Sequence, residues 1–350
     1  MDFKLSSKEH ARLLEICEKF AGSVEPGFRY IHLYYWKGLK LFVTDGCGKM
    51  EIPLNKKIEP FDGSYAFPID RAKVLKEQRN EDVYIRIKTK GKDLLITTPE
   101  ESLELRNSFS SERPKMERKF EGLFDQKLTD FKKAINFASS PGDEGDTIGL
   151  VSNEKRTAVV AQSSNLTTIS FLNTEINREL AVALPYVTAR HLVKTLEHIK
   201  SDKVIVGEGI RDIGLKIGRL LFSICRDTEV NIDKEILILP ENIETASNYS
   251  KRHFQYALRK MCRIVGRGFS VLLIQNEKGT QFLSKAGTTK YEIYIDRNHY
   301  SNQTIAKVEP HRLRSAISRM GGEKIKMIVY NKKMVLSDSK DRYFALFPIL

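Results

Sequence analysis

The stretch Leu184-Pro185-Tyr186-Val187-Thr188-Ala189-Arg190-His191-Leu192-Val193-Lys194-Thr195-Leu196-Glu197-His198-Ile199 decides how the chain is read. Ala189, Leu192, Val193, Leu196 and Ile199 recur at helical spacing, and Arg190, Lys194 and Glu197 take the opposite face. Proline is tolerated in the first helical turn, where its missing N–H has no partner to lose. Two strand-like segments follow, Lys203–Val206 and Gly214–Cys225. The same succession occurs at Phe67-Pro68-Ile69-Asp70-Arg71-Ala72-Lys73-Val74-Leu75, followed by Asp82–Lys88 and Asp93–Thr97. It occurs again at Val308-Glu309-Pro310-His311-Arg312-Leu313-Arg314, followed by Lys324–Tyr330, Met334–Leu336 and Tyr343–Leu350. Three prolines at roughly 120-residue spacing, each opening a helix with the same followers, imply a triplicated domain.

The segments between these points fit that frame. Ser6 or Ser7 caps a first helix whose apolar face is Leu13, Leu14, Cys17, Phe20 and Ala21, and Gly22 ends it. Phe28–Trp36 and Leu39–Thr44 flank Lys37-Gly38 as a hairpin, and Lys49–Leu54 follows. Residues 107–119 are polar and aperiodic, as a linker is. A helix over Gln126–Ser140 buries Leu128, Phe131, Ala134, Ile135 and Ala138; strands follow at Thr147–Ser152, Arg156–Ala161 and Thr167–Leu172. The short segment Glu235–Pro240 leads into the last third. That third opens with the helix Ser250–Val265, apolar at Phe254, Ala257, Leu258, Met261, Cys262 and Val265, with strands after it at Phe269–Gln275, Thr280–Lys285 and Tyr291–Asp296. The fold class is α+β, three similar domains of two helices packed on antiparallel sheets, over 1–110, 120–235 and 241–350.

Composition narrows function. Hydrophobic residues make up 41% of the 350, enough for real cores, and 29% are charged, as in a soluble protein. No apolar run approaches the ~20 residues that span a bilayer, and Met1–Ser7 has no signal-peptide core, so a cytoplasmic location and no membrane partner are expected. Cys17, Cys47, Cys225 and Cys262 form no CxxC pair and fit buried thiols in a reducing compartment. The net charge of +13 favours a polyanionic partner. The helix at Ser250–Val265 sharpens this: Lys251, Arg252, Arg259, Lys260 and Arg263 stand on it without one acid. A merely solvated face mixes signs, as the first helix does with Lys8, Glu9, Arg12, Glu15, Glu18 and Lys19.

No catalytic constellation is found. Gly46-Cys47-Gly48-Lys49 is too short for a phosphate loop and lacks the following Ser or Thr. Gly207-Glu208-Gly209 lacks the third glycine of a dinucleotide fingerprint. His191 and His198 are seven apart, beyond zinc pairing on a helix, and read as surface or DNA-facing. Asp143, Glu144 and Asp146 read as a solvated turn rather than a metal site. No cofactor is expected.

Leu41-Phe42-Val43-Thr44-Asp45-Gly46, Val182-Ala183-Leu184-Pro185, Ile238-Leu239-Pro240 and Phe347-Pro348-Ile349-Leu350 stand at matching places in a layout that resembles the bacterial sliding clamp, the β subunit of the replicative DNA polymerase. The resemblance covers nearly the whole chain and rests on layout more than on motifs. It implies a non-catalytic processivity factor: a head-to-tail homodimer of six domains encircling duplex DNA, joined by edge strands of the first and third domains. It also implies a polymerase and a clamp loader as partners through short linear motifs. Arg71, Lys73, Lys132, Lys133, Arg190, Lys194, Lys251, Arg252, Arg259, Arg312 and Arg319 are then expected to face DNA. Leu166, Ile238, Ala345, Leu346, Phe347, Pro348 and Ile349 are expected to line the partner-peptide pocket. Gln162–Thr167 and Asn231–Glu235 depart from the family's pattern at that pocket. The alternatives are a clamp-like paralogue or scaffold without a replicative role, and a DNA-acting enzyme of unrecognised type.

Overall fold

A strand leads directly into every α-helix among the described residues. The computed structural model describes all residues except 23–25, 78–83, 154, 175, 177, 229–231, 240–246 and 287–288. Within the described residues the order strand, helix, three strands occurs six times. The first copy is β1 (Asp2–Ser6), α1 (Ser7–Ala21), β2 (Tyr30–Tyr35), β3 (Leu39–Thr44) and β4 (Gly48–Pro53). The second is β5 (Ser64–Pro68), α2 (Ile69–Ala72, continued by a 3-10 turn at Lys73–Glu77), β6 (Tyr84–Lys90), β7 (Asp93–Thr97) and β8 (Ser102–Leu105), trailed by the two-residue β9 (Phe109–Ser110). The third is β10 (Glu121–Lys127), α3 (Leu128–Ser139), β11 (Thr147–Asn153), β12 (Thr157–Gln162) and β13 (Thr167–Phe171). The fourth is β14 (Glu179–Leu184), α4 (Tyr186–Leu196), β15 (Lys203–Glu208), β16 (Asp212–Ile217) and β17 (Leu220–Cys225). The fifth is β18 (Ser247–Ser250), α5 (Lys251–Ile264), β19 (Val271–Asn276), β20 (Gly279–Ala286) and β21 (Thr289–Asp296). The sixth is β22 (Thr304–Val308), α6 (Pro310–Arg319), β23 (Lys324–Tyr330), β24 (Lys333–Asp338) and β25 (Tyr343–Pro348).

Successive copies exchange their first strands. β1 pairs β6 while β5 pairs β2; β10 pairs β15 while β14 pairs β11; β18 pairs β23 while β22 pairs β19. All of these pairs are antiparallel. By compactness the chain divides into two units, one of Met1–Thr129 with Val187–Arg226, the other of Asp130–Tyr186 with Asp227–Leu350. The first holds a nine-stranded sheet, β10-β15-β16-β17-β4-β3-β2-β5-β9, and a four-stranded one, β1-β6-β7-β8. The second holds an eight-stranded sheet, β14-β11-β12-β13-β25-β24-β23-β18, and a four-stranded one, β21-β20-β19-β22. The long sheets arise because the last strand of one copy pairs the last strand of another, β4 with β17 and β13 with β25. The last strands β8 and β21 end their sheets.

Local chemistry explains the elements. The Ser6 hydroxyl accepts from the Glu9 N–H at 3.1 Å and so caps α1. Pro310 opens α6 in the first turn. Phe254, Ala257, Leu258 and Met261 bury the inner stripe of α5 completely; each of the three large side chains contributes about 1.5–3 kcal/mol on burial. That stripe joins Leu313, Ala316 and Ile317 of α6 in one core of the second unit. In the first unit Phe20 of α1 meets Phe222 of β17 edge to face, 5.5 Å between centroids.

Several sequence expectations change. Gly214–Cys225 is two strands, because Gly218 takes a positive φ of 58° and turns the chain. Residues 107–119 are tied down: the Glu117 carboxylate accepts from the Ile210, Arg211 and Asp212 N–H groups. Arg118 bonds Glu51 at 2.9 Å and lies over the Trp36 ring. Residues 82 and 83 of the strand expected at Asp82–Lys88 lie outside the described residues, as does Pro240. Of the four cysteines only Cys17 is buried; Cys47 is exposed, and Cys225 and Cys262 are half-buried.

Candidate nucleic-acid interface

In the second unit α5 and α6 pack side by side and neither contains an acidic residue. With Phe254, Leu258 and Met261 inward, the opposite side of α5 presents Arg252, Tyr256, Arg259 and Arg263, all exposed. The Lys260 ammonium lies over the Tyr256 ring at 5.6 Å. Arg314 and Arg319 of α6 are exposed as well, and Arg319 donates to the Ser315 carbonyl at 3.1 Å. On α3 Lys133 is exposed and Lys132 half-buried, while Asp130 pairs with Arg342 at 3.7 Å. Such a surface offers the positive charge and guanidinium donors that contact phosphates.

Two expected members of that surface are otherwise engaged. Arg312 pairs with Asp143 at 2.6 Å, Asp146 at 2.7 Å and Glu309 at 2.9 Å, so its charge is neutralised inside the fold. Burial raises the Asp146 carboxyl above its ordinary range despite that arginine. The acidic turn is therefore neither a metal site nor a merely solvated loop; it is filled by the protein's own guanidinium. Lys251 is half-buried and donates to the Met320 carbonyl at the end of α6, and burial lowers its pKa.

In the first unit Arg71 is exposed after a single helical turn. Lys73 is half-buried and paired with Glu18 and, at 3.7 Å, with Asp70. On α4 Lys194 is exposed and Arg190 half-buried, next to an exposed Glu197. His191 of α4 and His198, in the turn after it, are not the freely solvent-facing pair expected. His191 is buried, with Nδ1 2.9 Å from Asp45 Oδ2, and His198 is half-buried, 3.4 Å from Glu15. Asp45 in turn accepts from the Gly48 N–H at 2.6 Å. The Thr44-Asp45-Gly46 motif thus fastens the β3–β4 turn to α4. Arg263, named on the cationic helix but left out of the expected DNA-facing set, shares the exposed face of Arg259, whereas Arg314 stands on a different side of α6 from Arg312 and Arg319.

The expected peptide pocket does not hold together as one set. β25 alternates: Ala345 and Phe347 enter the core with Met261, Leu313 and Leu166, whereas Phe344 and Leu346 enter the one on the other face with Ile236 and Val335. Leu166, Ala345 and Phe347 are buried. Beside Leu166 there remains a hollow of about 10 Å³, bordered by Arg312 and Asp146. Ile238, 56% exposed, and Leu346 line a separate cleft of about 140 Å³ with Tyr330, Lys333 and Val335. Pro348 is exposed; Ile349 is half-buried and bridges to Ala306 of β22.

Among the described residues no group of three or more His, Cys, Asp and Glu is placed to hold a metal ion. No helix among them is long and apolar enough to cross a membrane.

The six copies, their exchanged strands and the fused sheets have counterparts among solved structures. A DNA polymerase sliding clamp from Pseudomonas aeruginosa superposes with a TM-score of 0.84 at 15% identity, over 100% of this chain and 99% of that one. This chain has the sliding-clamp fold. The β subunit of DNA polymerase III from Thermotoga maritima matches at 0.79 and 14% identity, and a sliding clamp from Bartonella birtlesii bound to griselimycin at 0.82 and 11%, each over 100% of this chain and 99% of its own. By sequence, no family model and no curated protein matches. The clamp fold is thus carried here by a sequence only 11–15% identical to those of these three structures.

Proposed function

We propose that the protein is a DNA sliding clamp, a non-catalytic processivity factor that tethers a polymerase to duplex DNA in the cytoplasm. The observation that carries this reading is the pairing of last strands. β4, β17, β13 and β25 each fuse two sheets, while β8 and β21 keep an open edge. β8 of one chain and β21 of a second copy complete the same pattern head to tail, and two such contacts close a ring of six domains. The three reciprocal strand exchanges support domains over 1–110, 120–235 and 241–350. The acid-free faces of α5 and α6 support a phosphate-facing interior in which Arg252, Arg259, Arg263, Arg314 and Arg319 lead, with Arg71, Lys132, Lys133, Arg190 and Lys194 contributing. Arg312, Lys73 and Lys251 are left out, since their charges are committed within the fold.

Partner recognition belongs to the second unit. The griselimycin-bound relative supports a ligand groove on this fold. In this chain the cleft of Ile238 and Leu346, which Asp233, Glu235, Asn331 and Lys333 also line, is an open feature that suits a short linear motif of a polymerase or clamp loader. A scaffold without a replicative role keeps the fold but gives no reason for two acid-free helices. Light scattering over a dilution series tests ring closure. The expected mass is twice the 40.1 kDa of the chain; a monomer at every concentration overturns the ring.

A further inference from the structure

We infer that Cys47 and Cys225 are a paired thiol site that closes into a reversible disulfide across the β4–β17 seam. This rests on the strand register and stands apart from the clamp reading. Gly48 lies opposite Ile224 in the antiparallel pair, and the Cys225 N–H donates to the Cys47 carbonyl at 3.0 Å. The register therefore continues by one step and sets the two cysteines directly opposite each other. Directly opposed residues of an antiparallel pair place their Cα atoms about 4.5–5.5 Å apart with side chains on one face of the sheet. That separation lies within the range a disulfide spans. The two thiols interact in the reduced protein, and Cys225 is pushed up to about 12 chiefly by burial and then by its neighbour Cys47. Cys47 is exposed and Cys225 half-buried, so one sulfur is open to solvent and the other waits behind it.

The remaining cysteines compete poorly. Cys17 is fully buried in the α1 core, and burial pushes its thiol to about 12. Cys262 lies on α5, in the other unit.

The reaction needs a two-electron acceptor, and a low-molecular-weight disulfide supplies it. The Cys47 thiolate attacks the small disulfide, forming a mixed disulfide and releasing one small thiolate. The Cys225 thiolate then attacks the Cys47 sulfur, expelling the second. Two protein thiols are oxidised, one small disulfide is reduced to two thiols, and the two protons pass to the leaving thiolates. Lys49 lowers the cost of the Cys225 thiolate by its charge. Because Cys47 is exposed, the bond stays open to reductant, as in disulfides that form transiently in reducing compartments. The product staples the strand that ends the first copy to the strand that ends the fourth, at the joint of the nine-stranded sheet.

The full chain incubated with excess oxidised glutathione gives the test. Thiols titrated under denaturing conditions should fall from four to two. A non-reducing digest should yield one linked peptide pair containing Cys47 and Cys225, and the melting temperature should rise by roughly several degrees. Dithiothreitol should reverse all three. Cys225→Ser should instead accumulate glutathione on Cys47. Persistent glutathione on Cys47 of the wild-type chain with Cys225 still free overturns the proposal, as do cross-links between chains. The peptide map needs no variant, so a misfolded mutant does not blunt it.

Discussion

His10 sits inside α1 at 3% exposure, and neither ring nitrogen has a hydrogen-bond partner. Burial drops its pKa from the ordinary 6.5 to about 4. Between pH 6.5 and 4 the unfolded chain holds a proton on this ring that the folded chain does not, so stability rises with pH in that window. The contribution is fully present above pH 6.5 and is lost as pH falls toward 4. At 1.36 kcal/mol per pKa unit the whole span is about 3.4 kcal/mol, of which about 1.8 kcal/mol is lost between pH 7 and pH 5. His10→Leu removes both the titration and two unpartnered polar atoms. The variant should be more stable at pH 7 by about 1–3 kcal/mol, and its advantage should grow by about 1.8 kcal/mol at pH 5. Urea unfolding of both proteins at pH 7, 6 and 5 measures this, since the carboxylates common to both cancel in the difference. Parallel loss of stability in the two proteins would mean that His10 does not carry this pH dependence.

The cationic helices and the ion cluster make opposite predictions for arginine. Arg252→Glu with Arg259→Glu should weaken DNA binding and reduce its salt slope by about one for each phosphate no longer neutralised, with the melting temperature unchanged; intact binding removes that face of α5 from the interface. Arg312→Ala should leave DNA binding unchanged but destabilise the fold by about 3 kcal/mol, because Asp146 and Glu309 lose their counter-charge. A loss of DNA binding at full stability would return Arg312 to the interface. Phe347→Ala should cost about 3–5 kcal/mol as a core cavity, whereas removing the exposed Leu350 should cost little; equal effects in thermal melts would contradict the placement of β25.

Periodicity carried the helices because their apolar stripes are long and uninterrupted, as Phe254, Leu258 and Met261 show. It missed the strands that precede them for a local reason. Ser247-Asn248-Tyr249-Ser250 has one buried side chain, and Ser6 ends β1 while also capping α1, so strand and cap signals overlap. What holds these segments extended is a partner far along the chain, β6 for β1 and β23 for β18. The triplication was legible, but its halves were not: the repeated unit is strand, helix and three strands, and the short strand that opens each copy conceals the sixfold order. At the candidate site the residue types were legible and their commitments were not. Arg312 reads like Arg259 in sequence, yet Asp146, its partner, lies 166 residues away. Tyr343–Leu350 was legible as a hydrophobic follower of the third helix; its pairing on both sides with β13 and β24, which makes β25 an interior strand and buries Ala345 and Phe347, was not.

A closed ring is held on DNA by topology rather than by affinity, and one binding measurement separates the two. The protein is allowed to thread onto linear duplex DNA biotinylated at both ends; streptavidin then blocks the ends, and salt is raised until phosphate contacts no longer hold. A closed ring should remain on the blocked DNA and leave once the ends are freed by restriction cleavage. Dissociation at the same rate from blocked and open DNA would contradict a ring and leave only a basic surface.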